Sequence, residues 1–308
     1  MASVTLAESA KLSQDQLVLG IAETIITVDQ FFQVLPFDTV EGTALRISQE
    51  KTLGDVENLG VGDTITAKNP ATYDERYFRL TTILGDAEVN GLIQATRSDQ
   101  QDQRGSQVAS KAKNLGRSYR RQIVSGSGIG NEFEGMLTLV DAGQVIDTGV
   151  NGSTFEFALM DELMHQVTAK DGDVDFFIMN AKALRAYREK LRLQGGASIG
   201  ETMTLPDGRT VMTYAGIPIF RNDYLPSDQV QGATSTCTSI IAGVFDDGDQ
   251  KTGIFGITAK NAAGIVVEDV GPAESRDESI TRLKWYAGFA LGSPLGLAVM
   301  PGVNVAGF

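Results

Sequence analysis

The chain has a single histidine and a single cysteine among 308 residues, so few side chains can serve as a base or nucleophile near neutral pH. His165 falls in a segment, 154–169, whose apolar spacing predicts a helix, with Glu162 one turn earlier. No Gly-x-Ser-x-Gly turn supplies a nucleophile elbow for it, and the pair reads as surface or helix-packing material. Cys237 stands in Thr-Ser-Thr-Cys-Thr-Ser with no local activating group and reads as a small buried strand residue. It has no partner for an internal disulfide, and one His with one Cys falls short of a zinc site. Gly126, Gly128 and Gly130 suggest a phosphate loop, but the run follows a predicted helix and lacks the Lys-Ser/Thr ending. It reads as a hinge. Asp171-Gly-Asp173-Val-Asp175 and Asp246-Asp-Gly-Asp249 match calcium loops in charge alone, because Lys182 and Ile257 stand where a bidentate Glu would close each one. Both read as turns, with weak ion binding as the alternative. Asn151-Gly-Ser153 is a glycosylation sequon that matters only after export. No catalytic residue, metal or cofactor is expected.

Composition explains this shortage. At about 150 residues per domain the length accommodates two domains or one extended architecture, and 42% hydrophobic residues are enough for a substantial core. The net charge of −13 disfavours tight binding of nucleic acid or anionic lipid through overall charge. The N-terminus lacks the cationic start of a secretory signal, and no apolar run approaches the roughly 20 residues that span a bilayer. A soluble cytosolic product is expected.

The elements follow from periodicity. Ser13 with Gln16 forms a capping box ahead of Leu17, Ile21, Ile25 and Val28, predicting a short amphipathic helix, and Pro36 turns the chain after Phe31 and Phe32. Residues 44–48 and 76–84 read as strands. The connection between them is longer than a compact domain uses, and such loops are functional or disordered. Leu53, Val56, Leu59, Val61 and Ile65 recur along it too often for a solvated linker, so they are expected to be buried against a neighbouring copy of the chain. A mobile loop is the alternative. Asp86 is placed to cap a long helix over 87–124, with Val108, Ala112, Leu115, Tyr119 and Ile123 on one face. Its basic end, Lys111 to Arg121, complements the helix dipole or touches phosphate. Ser153 with Glu156 predicts a second capping box, and Val174–Met179 predicts an apolar strand. Asn180 caps a helix bearing Leu184, Tyr187 and Leu191. Strands follow near 210–220, 239–245, 253–257, 264–270, 282–290 and 295–300, without comparable helices between them. The class is α+β.

Several strings in this order resemble the major capsid proteins of tailed bacteriophages, which have the Hong Kong 97 fold. They are Ile26 to Phe37, Leu53-Gly-Asp-Val56, the long helix, Asn131 to Leu137, Phe176 to Arg185, Gly216 to Pro226 and Trp285 to Leu291. The resemblance implies an N-terminal arm with a short helix over 1–37 and an extended hairpin loop over 38–85. It implies a peripheral domain with a spine helix from 86–130 and 259–290, and an axial domain from 131–258 and 291–308. It further implies self-assembly into hexamers and pentamers of an icosahedral shell around double-stranded DNA, without sequence-specific binding. Location would be the virion capsid, assembled in the host bacterial cytoplasm. A separate scaffolding protein, a portal and cementing proteins are the partners it suggests, with no membrane. Lys51 and Lys68 lie near the loop, but no asparagine or glutamate spacing supports a crosslink. An encapsulin-like compartment shares the fold and is the alternative. A hydrolase using His165 and a monomeric binding domain lie outside the resemblance.

Overall fold

A computed structural model describes residues 30–97, 103–168, 173–193, 202–205, 208–249 and 252–307. The helix expected after Ser13 lies outside them. The chain divides into two compact units. Among described residues the smaller comprises 85–113 and 267–283, and the larger takes the remainder.

The larger unit opens with a short helix α1 (Gln30–Val34) and strand β1 (Phe37–Val40), followed by the hairpin strands β2 (Ala44–Thr52) and β3 (Thr72–Arg79). Strand β4 (Thr81–Asn90) leads into the smaller unit. The single strand expected over 76–84 is divided at Leu80, whose N–H turns to Thr43 O at 3.0 Å. Two helices follow, α2 (Gly91–Arg97) and α3 (Gln103–Ser125).

The helix expected from Asp86 therefore starts later. Ala87 and Val89 are buried while Glu88 is exposed, a period of two that makes 81–90 a strand. Asp86 is held in that strand by Arg282, which donates from Nε at 2.9 Å and from a terminal nitrogen at 2.8 Å. Capping passes to Asn90, whose Oδ1 accepts from Leu92 N at 3.0 Å. Leu115, Tyr119 and Ile123 do form the buried face of α3.

After α3 come α4 (Met136–Leu139), β5 (Ser153–Thr154), α5 (Phe157–Thr168), β6 (Phe176–Met179) and α6 (Ala181–Leu193). The box expected at Ser153 does not cap α5. Ser153 and Thr154 pair in parallel with Val303 and Asn304, so the helix opens only at Phe157. Asn180 does cap α6, its Oδ1 accepting from Ala183 N at 2.7 Å. The strands that follow are β7 (Thr202–Thr204), β8 (Thr210–Tyr214), β9 (Ile217–Arg221), β10 (Gln229–Gln231), β11 (Thr234–Gly243), β12 (Ile254–Ala259), β13 (Val266–Pro272), β14 (Glu278–Leu291) and β15 (Leu297–Asn304). Ala215-Gly216 splits the strand expected over 210–220 into the β8–β9 hairpin, both residues taking positive φ.

An eight-stranded sheet in the order β5-β15-β11-β6-β9-β8-β7, with β10 beside β11, is the centre of the larger unit. Central strand β6 is buried on both sides. Phe176 and Ile178 enter one apolar cluster with Phe31, Ile123 and Phe220. Phe177 and Met179 enter another with Met160, Leu163, Ala183 and Tyr187. This alternation gives three layers, with α5 and α6 covering one face of the sheet. Burying each large apolar side chain there contributes roughly 1.5–3 kcal/mol. A second sheet contains β1 parallel to β12 and β12 antiparallel to β14. On it Tyr119 and Trp285 pack at 4.5 Å between ring centroids, and Tyr119 Oη donates to Gly288 O at 2.9 Å. Burial pushes the Tyr119 phenol upward.

In the smaller unit β13 and β4 pair with β14. Arg104 of α3 reaches Thr281 Oγ1 at 2.7 Å and Asp269 at 2.7 Å, pinning the helix start to the sheet.

Candidate assembly surfaces

The hairpin is built in two parts. At its base the antiparallel register runs from Ala44 opposite Arg79 to Glu50 opposite Tyr73, with a bulge before Thr52 opposite Thr72. A two-stranded ribbon is marginal alone, so the base is anchored. Leu45 and Ile47 pack on the core, Phe78 is buried, and buried Gln49 donates from Nε2 to Leu291 O at 3.2 Å and Gly292 O at 2.8 Å.

Beyond Thr52 the ladder is carried by side chains. Thr52 and Thr72 hydroxyls bond at 2.6 Å. Asp55 N donates to Asn69 O at 3.1 Å, and Asn69 Nδ2 returns a bond to the Asp55 carboxylate. Glu57 accepts from Thr66 through both N–H and Oγ1, and the Thr66 hydroxyl is the main reason its carboxyl titrates below the usual range. Gly60 N donates to Asp63 Oδ2 at 2.7 Å, closing the tip. Gly62 takes a φ of 96° there, where a side chain would be strained. Polar groups thus satisfy one another across the loop and the apolar side chains turn outward. Leu53, Val56, Leu59, Val61 and Ile65 are all exposed, from 46% to 111% of full accessibility. The structure brings the five predicted residues together on one loop that the chain itself leaves uncovered.

The candidates for chemistry are scattered. His165 and Glu162 are exposed on α5, whereas Cys237 is buried in β11 with its thiol pushed up by burial. Asp173, Asp175 and Asp247 border a cleft of about 380 Å³, and backbone N–H groups engage several aspartates of the two runs. Phe245 N donates to Asp175 at 2.8 Å, Gly248 N to Asp246 at 2.9 Å, and Asp249 N to Asp247 at 3.3 Å. Among the described residues no cluster of three or more His, Cys, Asp or Glu could hold a metal ion.

The glycine run expected as a hinge is a tight corner. Gly135 N donates to Gly126 O at 3.0 Å, and Thr138 Oγ1 reaches the same carbonyl at 2.7 Å. A Cβ at Gly126 would lie 2.2 Å from Phe133 O and 2.6 Å from Gln122 O. Arg121 clamps Glu132 at 2.6 Å and lowers the pKa of that carboxyl.

Sequence reasoning missed two features. Gln49 follows Leu45 and Ile47 on one face of a strand with many polar residues, and its anchoring role depends on distant carbonyls. The exposed base-rich side of α6 was visible as five basic residues within Ala181–Leu193 of an acidic chain.

No family model and no curated protein matches the chain, but solved structures do. The chain is similar over 100% of its length to 98% of a chain in the holo-SrpI encapsulin complex of Synechococcus elongatus PCC 7942, at 18% identity and a TM-score of 0.77. It is similar over 98% of its length to 99% of a capsid chain of a native GTA particle, at 15% identity and a TM-score of 0.71. Over 97% of its length it matches 99% of a chain from Microbacterium phage Oxtober96, at 14% identity and a TM-score of 0.64. The chain has the Hong Kong 97 fold, of class α+β, as its sequence order implied.

Proposed function

We propose that this chain is the repeating subunit of a closed icosahedral shell, the major capsid protein of a tailed phage, forming hexamers and pentamers around double-stranded DNA. The observation that carries this reading is the loop 53–65, with five uncovered apolar side chains on a scaffold whose polar groups are already satisfied. Exposed apolar groups concentrated on a projection mark a protein interface. On this reading the hairpin of 38–85 overlaps the next subunit, and segments 86–130 and 259–290 join capsomers. Segments 131–258 and 291–308 gather at capsomer centres. The encapsulin likeness supports a second reading, in which the same shell encloses protein. Neither reading requires catalysis.

Expression of the full chain, light scattering and electron microscopy test the proposal. Closed particles are expected, and a chain that stays monomeric at high concentration overturns it. Nuclease-protected DNA inside native particles supports the phage reading, whereas co-purifying protein without DNA supports the compartment.

A further inference from the structure

The first described residue, Gln30, lines a cleft in the larger unit. Helix α1 fixes its position there. Buried Phe31 meets Phe176 and Phe220 edge-on, at 5.2 and 5.6 Å between ring centroids, so the chain enters the unit at a set point on its surface. The cleft, of about 240 Å³, lies between one side of α6 and strands β8 and β9. Its floor is apolar, made by buried Leu184, Val211 and Ile219, while Arg188 and Arg221 are exposed at its rim. Arg221 is held by Asp223, whose Oδ1 also accepts from Ala181 N at 3.0 Å. Arg188 has no such carboxylate among the described residues, and its Nε donates to Met212 Sδ at 3.0 Å, a weak acceptor. Pockets for small molecules run from about 300 to 1,000 Å³, so this smaller space suits the side chains of a bound segment.

We infer that residues 23–29 of the same chain occupy this cleft. Their sequence, Glu23-Thr-Ile25-Ile26-Thr-Val28-Asp29, supplies apolar groups for the floor and carboxylates for the rim, and no Lys or Arg occurs between Lys11 and Gln30. The tether decides which copy supplies them. Asp29 is bonded to a residue already on the cleft wall, and a short linker raises the local concentration of a segment to about the millimolar range. A separate subunit competes poorly with that. Burial of the aliphatic groups provides the attraction, whereas the ion pair at the exposed rim adds little affinity and sets the direction of the segment. Docking of this kind takes place within one subunit, whether or not subunits form shells.

Hydrogen exchange followed by mass spectrometry tests the docking, on full-length subunits kept below the concentration at which particles form. Peptides covering 23–29 are expected to exchange at least about tenfold more slowly than the same sequence as a free synthetic peptide. Ile26→Asn with Val28→Asn is expected to remove that protection. Arg188→Glu, which sets like charge beside the segment's carboxylates, is expected to reduce it severalfold. In both variants the exchange of α6 and β8, the circular dichroism and the melting temperature should stay near those of the parent. Should Arg188→Glu unfold the chain, Arg188→Gln is read by the same criteria. Free exchange of 23–29 in the parent overturns the inference, as does protection that either variant leaves unchanged. Protection that appears only once particles form assigns the cleft to a neighbouring copy and also overturns it.

Discussion

Truncating the loop valines separates assembly from folding. Val56 and Val61 are 93% and 111% exposed within the chain, so Val56→Ala with Val61→Ala removes almost nothing that the isolated subunit buries. If a neighbour covers them, each substitution deletes two buried methyl-sized groups at about 0.8 kcal/mol apiece, or about 3 kcal/mol per subunit for the pair. At about 1.4 kcal/mol per tenfold, the contact weakens by about a hundredfold. The assay is the lowest protein concentration that yields particles, followed by light scattering, with the melting temperature of unassembled subunits recorded alongside. A rise of that order with an unchanged melting temperature is expected. An unchanged threshold would refute burial of the loop, and a matching fall in subunit melting temperature would show that the valines serve the fold. Limited proteolysis gives an independent reading: cleavage within 53–65 should be slower in particles than in free subunits.

Gly126→Ala forces a Cβ onto two carbonyl oxygens and is expected to cost more than about 3 kcal/mol in chemical denaturation, or to prevent folding. Ala215→Gly relieves a residue held at a φ of 51° and should stabilise by about 1 kcal/mol, seen as a higher denaturation midpoint. The Asp86 carboxyl is held below its ordinary range first by the Arg282 hydrogen bond. Its contribution is therefore complete above the unfolded pKa of about 3.9 and fades as pH falls through the lower folded value. Asp86→Asn should lower stability at pH 7 and reduce its acid dependence below about pH 4, measured by urea titration across pH. With a net charge of −13, particle yield should rise from very low ionic strength to about 0.15 M as repulsion is screened. A steady fall over that range would contradict this.

Much of the fold was legible because its signals are local. Phe176–Met179 is a short apolar run, Asn180 precedes a helical repeat, and Leu115, Tyr119 and Ile123 mark one face of α3. The errors arose where a distant partner decides conformation. Asp86 has the chemistry of a cap, but Arg282, far along the chain, takes its carboxylate into a sheet. Ser153 and Glu156 have capping-box spacing, but pairing with Val303 and Asn304 holds the chain extended until Phe157. The glycines of 126–130 suggested freedom, whereas Gly126 and Gly135 allow two backbones to touch. The excess of apolar positions along 53–65 is plain in the sequence, and the structure leaves them exposed within the chain. The rungs that hold them outward depend on which polar side chains meet across the loop, and spacing alone does not give that.

On the shell reading, those rungs bear on how a subunit joins its neighbour. A loop whose limbs are joined through Thr52–Thr72, Asp55–Asn69 and Glu57–Thr66 is already shaped before it meets a neighbour. Little conformational entropy is then lost on docking, and more of the apolar gain remains as affinity. On the shell reading, an incoming subunit then seats without first having to order this loop.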